Sequence, residues 1–134
     1  MALSTRDLRY LRDYKMIYPR VLTLLELLSN SEEVPQRNRD YLFSPAGYIE
    51  CTLDYDENCE YLKSDLRKGQ CTVGCTELNE ILRLNHMIDR LDAILNVEQF
   101  WKKDISVEPY LMSHPQWLKI ENQARKTLDL LRKT

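Results

Sequence analysis

The sequence predicts an α-rich α+β fold: three or four helices packed on a small antiparallel β-hairpin or three-stranded sheet. Three observations carry that expectation. The chain has only 3 glycines and 5 prolines in 134 residues, too few for the many tight turns of an all-β domain. Long segments at both ends and in the middle repeat their apolar residues at helical spacing. Between them, around residues 48–55, the apolar residues instead alternate, the period of a half-buried strand.

The first helical segment is expected over 4–30. Ser4 followed by Asp7 resembles a capping box with Asp in place of Glu. Leu8, Leu11, Tyr14, Tyr18, Val21, Leu22, Leu25 and Leu28 then hold one phase. The phase carries through Pro19, which predicts a kinked helix rather than two separate ones. Residues 31–40, S-E-E-V-P-Q-R-N-R-D, are polar and read as a loop.

The small β region is expected over 41–66. Ile49, Cys51, Leu53 and Tyr55 alternate with Tyr48, Glu50, Thr52 and Asp54, which places the first set on the core and Tyr48 on the polar face. Tyr41–Phe43 would pair with this strand across the Ser44–Gly47 turn. Glu60–Leu66 reads as a third strand or a helical turn. A central helix follows over 77–96, capped by Thr76, with Leu78, Ile81, Leu82, Ile88, Leu91 and Leu95 as its stripe. Asn96 ends it, Val97–Lys103 forms another turn or two, and Asp104–Met112 is irregular or extended. Ser113 or His114 caps a C-terminal helix over 115–132, with Pro115 at its first position and Trp117, Ile120, Ala124, Leu128 and Leu131 on one face. A length of 134 residues suits a single compact domain, 1–134.

Composition narrows the function classes. The net charge of −2 and pI near 5.7 exclude a strongly basic nucleic-acid binder and an acidic nucleic-acid mimic. No stretch has the apolar length of a membrane span, and the N-terminus has no apolar signal core. A cytoplasmic protein with reduced cysteines is expected; in a secreted protein, four cysteines would suit two disulfides. Charge is uneven. Residues 1–20 carry five Lys/Arg against two Asp/Glu, residues 31–60 two against eight, and residues 100–134 seven against four. Two basic ends flank an acidic middle.

The chemistry-bearing residues are few. Cys51, Cys59, Cys71 and Cys75 are spaced x7, x11 and x3. Structural zinc sites pair short-spaced cysteines, and here only Cys71 and Cys75 lie close. Zinc is therefore the alternative and no cofactor the main expectation. The Cys71/Cys75 spacing also departs from a redox pair, which has two intervening residues. Cys75 lies at the start of a helix, where the dipole favours a thiolate. Asp54-Tyr-Asp56-Glu-Asn58 resembles the opening of a calcium loop, but Cys59 stands where that loop needs glycine and Asp65 where it needs glutamate. His86 on the central helix and His114 before Pro115 have no nucleophile that spacing places beside them. Arg83-x-x-His86 is shorter than the arginine–histidine pairs of helical nucleases. No phosphate-binding glycine loop can be built from Gly47, Gly69 and Gly74.

What remains are recognition features. Arg6, Arg9, Arg12 and Arg20 gather on one side of the first helix at ~100° per residue, and Lys119, Arg125, Lys126, Arg132 and Lys133 on the last helix would extend that patch. Eight tyrosines and two tryptophans supply interface-type side chains. Tyr48 is read as an exposed contact; Trp101 is either a contact or a lid on the core. The expectation is a non-enzymatic protein-interaction module, an inhibitor, immunity-type or adaptor protein. It would bind another protein through Arg6, Arg9, Arg12, Arg20, Tyr48 and Trp101. A nucleic-acid-binding regulator using the arginine face and a zinc-stabilised domain are the alternatives, followed by an enzyme working through His86 or Cys75.

Overall fold

The computed structural model describes residues 20–29, 34–69 and 73–133. They are 84% helical and contain no strand. Helical residues 20–28 (α1) are followed by α2 (Gln36–Phe43), α3 (Pro45–Arg67), α4 (Cys75–Leu95), α5 (Glu98–Lys103), α6 (Glu108–Met112) and α7 (Pro115–Arg132). The α+β expectation is thus corrected to an all-helical arrangement of the described residues. Residues 41–66, expected as sheet, lie in the last turn of α2 and in α3, and α2 begins inside the expected 31–40 loop. The expected capping box at Ser4 and the kink at Pro19 lie outside the described residues.

The physical reason for the correction is in α3. Ser44 caps it, its Oγ accepting from the Gly47 N–H at 3.1 Å, and Pro45 takes the first turn, where no backbone donor is needed. Beyond Gly47, nothing breaks the helix until Lys68 and Gly69 (φ 70°) end it. The buried set is Tyr48, Thr52, Tyr55, Cys59 and Leu62, spaced by three and four. The alternating set 49, 51, 53, 55 is a short-window coincidence. Only Tyr55 of that set is fully buried, and Leu53 is 62% exposed.

Packing builds outward from α4. Its buried Leu78, Ile81, Leu84, Ile88 and Leu91 form a stripe that faces both α3 and α7, and α4 with α7 is the most extensive helix pair. Each such buried aliphatic side chain contributes about 1.5–3 kcal/mol by leaving water. From α7, Trp117, Ile120, Ala124, Leu128 and Leu131 are buried against this stripe, joined by Val21, Leu24, Leu25 and Leu28 of α1. Tyr55 reaches across from α3 and donates its hydroxyl to the Ile81 carbonyl at 2.8 Å, which satisfies a buried polar group.

α2 turns sharply into α3, and Gly47 permits it: a Cβ there would overlap the Tyr41 carbonyl oxygen. Phe43 at the end of α2 meets Trp117 of α7 edge-on, centroids 6.1 Å apart, a favoured aromatic geometry. The loop before α6 is stitched to the same point, with Val107 N–H and Ser106 Oγ both donating to the Phe43 carbonyl at 3.1 Å. The segment expected as irregular, Asp104–Met112, thus closes with a helical turn, α6, whose Tyr110 stacks on Phe100 of α5 at 4.7 Å. The central helix expected over 77–96 runs Cys75–Leu95, with Gly74 rather than Thr76 at its N-cap and Asn96 (φ 52°) at its C-cap. His114 caps α7, Nδ1 accepting from the Gln116 N–H at 3.1 Å. No described helix is long and apolar enough to cross a membrane.

Candidate functional site: a groove between α3 and α5

A helix that buries one face exposes another, and α3 exposes an apolar one. Ala46 and Leu53 are exposed, and Ile49 is half-buried between them. At 1.5 Å per residue these positions span about 10 Å, two turns. The opposite wall is the α4–α5 joint. Asn96 in the left-handed conformation ends α4 and turns the chain straight into α5, bringing Val97, Glu98 and Trp101 alongside α3. Two adjoining depressions of about 420 and 380 Å³ result. The first lies between Ile49, Thr52 and Leu53 on α3 and Asp92, Val97 and Glu98 opposite. The second lies between Ala46, Ile49 and Glu50 on one side and Glu98 and Trp101 on the other. They share Ile49 and Glu98 and form one groove.

The electrostatics of this groove are one-signed. Among the described residues its walls carry Glu50, Asp92 and Glu98 and no lysine or arginine. Asp92 sits deepest. Tyr48, itself fully buried, donates its hydroxyl to Asp92 Oδ1 at 2.6 Å, and no described lysine or arginine pairs with this carboxylate. Burial pushes the Asp92 carboxyl up to about 6, the Tyr48 hydrogen bond opposes that shift, and Asp89 adds to it. Burial likewise raises the Tyr48 hydroxyl, with Asp92 reinforcing it, so Tyr48 stays a neutral donor. At the other end, Tyr41 donates its hydroxyl to Glu50; that bond raises the Tyr41 hydroxyl to about 12.

The expected site residues are scattered by the fold. Trp101 is 58% exposed and lines the groove; it is a surface residue, not a lid. Tyr48, expected on an exposed face, is 0% exposed, because a helix points it at α4 and Trp117; it acts only through Asp92. Arg20 is exposed, while Arg6, Arg9 and Arg12 lie outside the described residues. The basic residues of α7 that were to extend the arginine patch are largely engaged. Arg125 donates to the Ser29 carbonyl at 3.2 Å, Arg132 pairs with Glu26 at 2.9 Å, and Lys126 lies 3.6 Å from Glu80.

The described cysteines do not converge on one point. Cys51 and Cys59 lie on one continuous helix, separated along its axis by about 12 Å at 1.5 Å per residue, so they cannot ligate one zinc ion together. Cys71 lies outside the described residues, and no three metal-ligating side chains converge among those described. Burial raises the Cys59 thiol, and raises Cys51 to about 11, which keeps both as thiols. Cys75 is exposed at the first position of α4. The acidic run 54–65 is helical, which removes the calcium-loop geometry. His86 is exposed on α4, and His114 is spent as a cap.

Asp92 and Glu98 were not singled out by the sequence, and Ile49 and Leu53 were read as core residues of a strand. Asp92 and Glu98 look like ordinary solvated positions of helices until the α4–α5 turn folds them against α3. The one available signal was Ser44-Pro45, a helix start that fixes the phase of α3 and so puts Leu53 outside. Comparison with protein-family models, with curated proteins and with solved structures finds no match for the chain.

Proposed function

We propose that this chain is a non-catalytic protein-interaction module of inhibitor, immunity-type or adaptor character, and that it receives a helical segment of a partner protein in the groove between α3 and α5. The observation that carries this reading is the exposure of Leu53 and Trp101 on facing walls of one groove. Large apolar side chains brought together at a surface are what a partner covers, and tryptophan is among the residues that dominate binding energy. A groove between two helices accepts a third helix by the same ridge-and-groove packing that holds the first two. The test uses Leu53→Glu and Trp101→Glu together. Proteins retained from native extract by the wild-type chain are identified, and each is purified and titrated against wild type and double variant by calorimetry. The reading requires a binary complex that the double variant loses while its helical circular dichroism is unchanged. A complex that tolerates both substitutions overturns it.

A further inference from the structure

The reading above leaves the chemistry of the partner open, and the groove narrows it. Resting on that reading, we infer that the occupant is a cationic amphipathic helix, anchored by an arginine or lysine side chain between Asp92 and Glu98, with a second basic side chain against Trp101 and Glu50. Four features converge on it. Among the described residues the groove walls hold three carboxylates and no basic residue, a field that repels an acidic segment and draws in a basic one. The first depression is lined by the apolar side chains of Ile49, Leu53 and Val97 together with Asp92 and Glu98, which suits an aliphatic stem ending in a charge. The Asp92 carboxylate is held in one orientation by the Tyr48 hydroxyl, its only hydrogen bond from a described residue, and a cation would supply the partner its half-buried charge lacks. Trp101 offers an exposed ring beside two carboxylates, a setting for a guanidinium or ammonium on the aromatic face. The exposed Leu53 and Trp101 favour a helix with an apolar stripe over a small free cation.

The test titrates the full chain with three synthetic amphipathic peptides of roughly 18 residues, five turns. They share one leucine face and carry arginine, glutamine or glutamate on the flanks. The fluorescence of the exposed Trp101 is the readout. The arginine peptide is expected to bind on the order of tenfold tighter than the glutamine peptide, with the glutamate peptide weakest. Asp92→Asn with Glu98→Gln, which retains the acceptor for Tyr48, should remove most of that preference and leave the glutamine peptide unchanged. If arginine and glutamine peptides bind alike and Leu53→Glu abolishes both, the groove reading stands and the cationic partner is overturned. If argininamide alone matches the arginine peptide, the site takes a small cation and the helix is overturned. If no peptide binds, or binding ignores Leu53→Glu, both readings fall. Thermal melts of each variant separate loss of binding from loss of fold.

Discussion

The seam between α4 and α7 and the groove between α3 and α5 use the same kinds of side chain to opposite ends. In the seam, Glu80, Gln123, Lys126 and Thr127 are closed on each other, although the buried Trp117 Nε1 has no hydrogen-bond partner among the described residues. Gln123 donates to Glu80 Oε2 at 2.5 Å, Thr127 donates to the Gln123 carbonyl at 2.7 Å, and Lys126 lies 3.6 Å from Glu80. That pairing, led by the Gln123 hydrogen bond, holds the Glu80 carboxyl below its ordinary value. In the groove, the Asp92 carboxylate has one hydroxyl and no cation among the described residues, and its carboxyl rises instead. One carboxylate is stabilised by its neighbours within the chain; the other is left with an unmet electrostatic demand. The contrast supports the proposal that the groove receives a partner.

The two tryptophans test that contrast most strongly. Trp117 is 3% exposed and touches Phe43 and Tyr48, so Trp117→Ala should lose about 3–5 kcal/mol in urea unfolding. Trp101→Ala, on the open wall, should change stability by no more than about 0.5 kcal/mol. Equal losses would dissolve the distinction between packed seam and open groove. A smaller effect is expected at the α2–α3 turn, where Gly47→Ala puts a methyl group on the Tyr41 carbonyl; a loss of about 1–3 kcal/mol is the expected result.

One substitution in the groove has an effect of the opposite sign. Asp92 rises from 3.8 to about 6, so the folded state holds a proton there that the unfolded state has released. Its contribution to stability is therefore fully present below pH 3.8 and lost as pH rises through about 6. Asp92→Asn removes the penalty at neutral pH and should stabilise the chain by about 1–2 kcal/mol there, the solvent at the groove mouth screening the rest. The gain should fade toward pH 4. Denaturant midpoints across pH 4–8 would show it, and a variant less stable than wild type at pH 7.5 would contradict the account of Asp92.

The C-terminal end of α4 and the start of α7 were legible because their signals are local, Asn96 as a cap and His114 followed by Pro115; the start of α4 was placed two residues late, at Thr76 instead of Gly74. α3 was misread because residues 48–55 fit period two and period 3.6 alike. The discriminating evidence lay outside that window, in Ser44-Pro45 upstream and in Cys59 and Leu62 downstream. Trp101 could be singled out as an aromatic beside charge. Asp92 and Glu98 could not, because their partnership with α3 exists only after the α4–α5 turn is made.

Cys75 gives this arrangement a practical use. It is the one exposed cysteine among the three described ones, the other two being held as thiols by burial. It begins the helix that Asp92 nearly ends, so the two are separated by about 26 Å along the α4 axis. With Cys71 replaced by serine, a fluorophore attached at Cys75 would sit far from the groove yet on the same rigid rod. Energy transfer to a labelled peptide would then report not only that the groove is filled but which way round the incoming helix lies.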